Sequence, residues 1–67
     1  MERDTQWIVI HVAHSGQEAD AVQEFLQREG FLIRLRPVSG AGEELTEVCA
    51  LPSEAKEARG VLMRGGY

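Results

Sequence analysis

Covalent support is missing from this chain: Cys49 is its one cysteine, so an internal disulfide cannot form. Metal support is missing as well, because His11, His14 and Cys49 do not have the ligand spacing of a closed zinc site. Long apolar runs are absent. The longest, Trp7 to Val12 with His11 inside it, is a strand's length and falls far short of the roughly 18 residues a membrane span needs. A basic segment followed by an apolar one, the mark of a secretory leader, does not open the sequence, and the expectation is a cytoplasmic protein without membrane contact. Basic residues are in the minority, 7 against 11 acidic for a net charge of −4, which argues against nucleic acid as a partner.

What is present suffices for one small domain covering residues 1–67. Val, Ile, Leu and Phe fill 17 of the 67 positions, enough for a core and above the level at which disorder is expected. A chain of this length buries only about 60% of its unfolded surface, so its stability alone is marginal and assembly is expected to help.

Trp7 to Val12 is β-branched and aromatic and reads as the first strand, with Ile8, Ile10 and Val12 on one face and Trp7, Val9 and His11 on the other. From Ser15 the period becomes helical. Ser15 and Glu18 have capping-box spacing, Ala19, Val22, Phe25 and Leu26 form the apolar stripe, and Gly30 supplies the terminating left-handed position. Phe31 to Val38 alternates as a second strand, with Pro37 pointing to an edge. Ser39 to Gly42 is the turn into a third strand that ends at Leu51. Pro52 stops it, Ser53 is the expected N-cap of a second helix striped by Ala55, Ala58, Val61 and Leu62, and Gly65-Gly66 marks its end.

The order strand, helix, strand, strand, helix is satisfied by an α+β, two-layer, ferredoxin-like sandwich lacking its fourth strand, βαββα with sheet order 1-3-2 and both helices on one face. Two surfaces then stay uncovered. One is the outer edge of the first strand, which carries no lysine, proline or inward carboxylate of its own. The other is the second sheet face, with Trp7, Val9, Leu45, Cys49 and Leu51. Those five residues and His11 are the expected interface of a homodimer, formed edge to edge or face to face. A different protein adding a strand to the edge is another partner the pattern admits.

Arg34 and Arg36 share one face of the second strand, roughly 7 Å apart, and such a pair grips a carboxylate or phosphate. Glu47 on the neighbouring strand competes as a cross-strand ion pair. His11 and His14 are poorly placed as a metal pair. Cys49 lacks a Cys-X-X-Cys partner, and no phosphate loop, dinucleotide fingerprint or nucleophile, histidine and carboxylate set is present. The chain is therefore read as a non-enzyme with no cofactor.

The strand Trp7 to Ile10, the helix Glu18 to Leu26, the junction Arg28-Glu29-Gly30-Phe31 and the segment Leu51-Pro52-Ser53-Glu54 together resemble small prokaryotic βαββα proteins described as signal-transducing or of unknown function. The resemblance spans residues 7–64 and implies a ferredoxin-like fold and a regulatory or ligand-sensing role, without a functional residue to carry over. The expectation is a homodimeric regulatory or protein-binding module. The alternative is a sensor of a small anionic metabolite at Arg34 and Arg36.

Overall fold

The apolar run that starts at Trp7 becomes β1 (Ile8–Ala13), and the capped periodic segment after it becomes α1 (Gly16–Arg28). Next come β2 (Ile33–Gly40), β3 (Glu43–Ala50) and α2 (Ala55–Arg64) in the computed structural model, which describes residues 6–40 and 43–67. The sheet order is β1-β3-β2 and both outer strands run antiparallel to β3. This is the α+β sandwich expected, a βαββα domain of ferredoxin-like topology. Its smallest dimension is 15 Å, the thickness of one helix layer on one sheet.

Both helices lie on the same sheet face. Val22 and Leu26 of α1 and Ala58 and Leu62 of α2 meet Ile10, Ile33, Val48 and Ala50 of the sheet in one buried cluster. The β2–β3 ladder continues to Ser39↔Glu44 and Gly40↔Glu43, so Ser39 and Gly40 belong to the strand and not to the turn. The rest of the expected turn, Ala41 and Gly42, lies outside the described residues.

One irregularity changes the reading of β1. Val9 pairs with Cys49, but the next residue to pair is His11, with Val48, and Ile10 is the extra residue of a β-bulge. An inserted residue reverses the alternation beyond it. Ile8 and Ile10 still pack in the core, but His11 now shares the helix side with Val48, and Val12, paired with Glu47, turns to the open face. The face assignments expected for His11 and Val12 are thus exchanged.

The helix ends repeat one device. Gly30, with φ 97°, donates to the Gln27 carbonyl while the Phe31 amide reaches back to Leu26. Gly66, with φ 90°, donates to Met63 while the Tyr67 amide reaches Leu62. Both are Schellman closures with an aromatic residue following the glycine. The helix starts differ. Ser15 accepts from the Glu18 amide as expected, at 3.0 Å, but the Glu18 carboxylate bonds the His14 amide and not that of Ser15. In α2 the N-cap is Glu54, not Ser53, and no side chain caps it. Pro52 to Glu54 form a turn closed by the Glu54 amide on Leu51, which moves the helix start one residue later. The Glu54 carboxylate is thereby freed to accept from the Leu32 amide at 3.1 Å, tying the entrance of β2 to that of α2.

Candidate functional site

The sheet face away from the helices gathers most of the residues singled out in the sequence. Along β1 it presents Val9 and Val12, along β2 Arg34, Arg36 and Val38, and along β3 Leu45, Glu47 and Cys49. Trp7 joins them, because the Arg34 guanidinium stands over its ring at 5.8 Å from the centroid, a cation–π contact. Val12 and Val38 are more than a third exposed, while Trp7, Val9, Leu45 and Leu51 are half-buried. His11 is not part of this face, since the bulge has carried it to the other side.

Cys49 sits at the centre of the sheet, flanked by Val9 and Arg34, and is 1% exposed. Burial pushes its thiol above the usual range. The charge of Glu47 acts in the same direction, and the two arginines oppose it. A thiol so placed is a packing group and presents no surface to a partner.

The two arginines are brought to one face, but each guanidinium is engaged. Arg36 donates from Nε at 2.8 Å and approaches through Nη2 at 2.7 Å the same Glu47 oxygen. That carboxylate holds the Arg36 guanidinium all the more firmly in its charged form. Arg34 lies on Trp7. An anion bridging the two would have to displace Glu47 from Arg36.

A second cluster, not foreseen in the sequence, lies on the helix side. His11 Nε2 is 2.8 Å from Glu18 Oε2, and the other Glu18 oxygen accepts from the His14 amide at 3.0 Å. The Tyr67 ring stands edge-on to His11 at 6.2 Å and packs against Phe25 at 5.7 Å. The His14 amide first, and the His11 ring second, draw the Glu18 carboxyl below the ordinary carboxylate range. This cluster pins the strand, the start of α1 and the end of α2 together. It brings a histidine to a carboxylate.

Among the described residues no three His, Cys, Asp or Glu side chains converge as a metal site. A depression of about 240 Å³ at the hairpin end, between Pro37, Val38, Glu44 and Leu45, is smaller than an ordinary small-molecule pocket. No helix among the described residues is long and apolar enough to cross a membrane. Comparison of the chain with protein-family models, with curated proteins and with solved structures finds no match in any of the three.

Proposed function

We propose that this domain is a non-enzymatic, cytoplasmic regulatory or protein-binding module that works as a homodimer, with the open sheet face as the contact between copies. The observation that carries the reading is the open sheet face, where Val9, Val12, Leu45 and Val38, with Trp7 at one end, lie around the Arg36–Glu47 pair on a molecule only 15 Å thick. Three strands at about 4.8 Å and eight residues at about 3.4 Å make a face of about 400 Å², which the apolar side chains share with Arg34 and the Arg36–Glu47 pair. Two such faces bury about 800 Å², below the standard size for a tight complex, so a dimer in micromolar exchange with monomer is the form expected. The regulatory part of the reading rests on the resemblance of the sequence to small prokaryotic βαββα proteins described as signal-transducing or of unknown function.

Sedimentation equilibrium across the micromolar range tests it. A concentration-dependent dimer is expected for the wild type. Val12→Asp and Val38→Glu, placed at exposed positions where folding tolerates a charge, should each shift the chain to monomer. A wild type that stays monomeric to several hundred micromolar would overturn the proposal.

A further inference from the structure

The outer edge of β1 is less open than its own sequence suggests. Among the described residues β1 has β3 as its one neighbour in the sheet, which leaves a rim where another strand could pair. Two features interrupt that rim. The bulge at Ile10 breaks the even spacing of its backbone groups near the middle of the strand. From α2, 50 positions away in the chain, Arg59 Nη2 donates to the Val9 carbonyl at 3.4 Å. Arg59 is exposed, so the contact holds a charged, hydrated group against the main chain of an edge strand.

We infer that Arg59 closes the rim of β1 to a further strand and thereby directs contact between copies to the open sheet face. An incoming strand needs the carbonyls of the rim as acceptors, and at Val9 it meets a donor already in place. It would also have to strip water from a charged guanidinium. The arrangement combines two of the devices by which natural sheets blunt their edges, a bulge and a charge. The part of the inference that concerns the face rests on the dimer reading above; the part that concerns the rim does not.

Wild type, Arg59→Ala and Arg59→Lys are compared by sedimentation velocity at equal micromolar concentrations, with amide hydrogen exchange at Val9 as a second readout. Removing the guard should give Arg59→Ala species of at least twice the wild-type mass, with the Val9 amide exchanging more slowly as it enters a new ladder. Arg59→Lys keeps a charged N–H donor only one bond shorter and should sediment as the wild type. An unchanged mass for Arg59→Ala overturns the inference, as does association without slowed exchange at Val9. Loss of the native far-UV circular dichroism in Arg59→Ala would make Arg59 a residue of stability and overturn it too. A monomeric wild type beside an associating Arg59→Ala would refute the dimer reading and leave the rim guard standing; a dimeric wild type beside an unchanged Arg59→Ala would do the reverse.

Discussion

Adding one methyl group to Gly60, inside α2, and adding one to Gly65, its C-cap, should move stability in opposite directions. At Gly60, inside the helix, a Cβ would meet only the end of the Arg64 side chain, at 3.8 Å. Glycine in a helix interior is about 0.5–1 kcal/mol worse than alanine, so Gly60→Ala should stabilise by that amount. At Gly65 the backbone, with φ −86°, admits alanine, but the new Cβ would lie 2.7 Å and 2.9 Å from two atoms of the Phe25 ring. That ring also packs against Tyr67 at 5.7 Å, so yielding disturbs the junction of the two helices. Overpacking of this kind costs about 1–3 kcal/mol. Unfolding of a chain this short carries an entropy of about 0.14 kcal/mol/K, which translates the two effects into a Tm raised by about 4–7 °C and one lowered by 7 °C or more. Thermal melts at one low protein concentration read both. Adding Phe25→Leu to Gly65→Ala should restore part of the loss by relieving the clash. If Gly65→Ala stabilised as Gly60→Ala does, the packing of the helix end against Phe25 would be refuted.

Other outcomes follow from the same contacts. The Glu18 carboxyl titrates lower in the folded chain than in the unfolded one, so its contribution to stability is present above the unfolded pKa and disappears as pH falls through the folded value. Urea melts between pH 7 and pH 3 should show a shallower acid loss for Glu18→Gln than for the wild type, and parallel curves would count against the His11–Glu18–His14 contacts. The Cys49 thiol, buried and shifted upward, should react with a water-soluble thiol reagent at pH 8 only as the sheet opens, slowing as urea is withdrawn. Immediate reaction in the native state would mean that the centre of the open face is not packed. Gly30→Ala should destabilise by about 1 kcal/mol, because only glycine takes φ 97° freely, and a neutral result in urea melts would contradict the Schellman closure of α1.

Element order and sheet order were legible because they depend on period and punctuation. Ser15 and Gly30 mark boundaries, and Pro37 an edge strand, by chemistry that acts locally, and the helical stripe of α1 admits one face only. The bulge at Ile10 was not legible, for a physical reason. Trp7 to Val12 is apolar on both sides, so an inserted residue leaves no break in its pattern, and the first polar group beyond it, His11, fits either face until Glu18 is seen to receive it. Contacts distant in the chain were hidden in the same way. Arg59 on Val9 and Glu54 on Leu32 join residues 50 and 22 positions apart, and nothing near either partner announces the other. The Arg36–Glu47 pair was legible because neighbouring strands bring opposite charges face to face once the hairpin is drawn. The burial of Cys49 was not, since alternation shows which side a residue takes but not how well its neighbours close over it.

The doubled step at Ile10 also bears on descent. A relative that lacked the insertion would keep Ile8 and Val9 in place but would need its later β1 residues displaced by one position to present the same groups to helix and solvent. Ungapped alignments would match such a chain through Val9 and then compare core with surface, so genuine kinship should declare itself as a single-residue gap in the middle of the first strand.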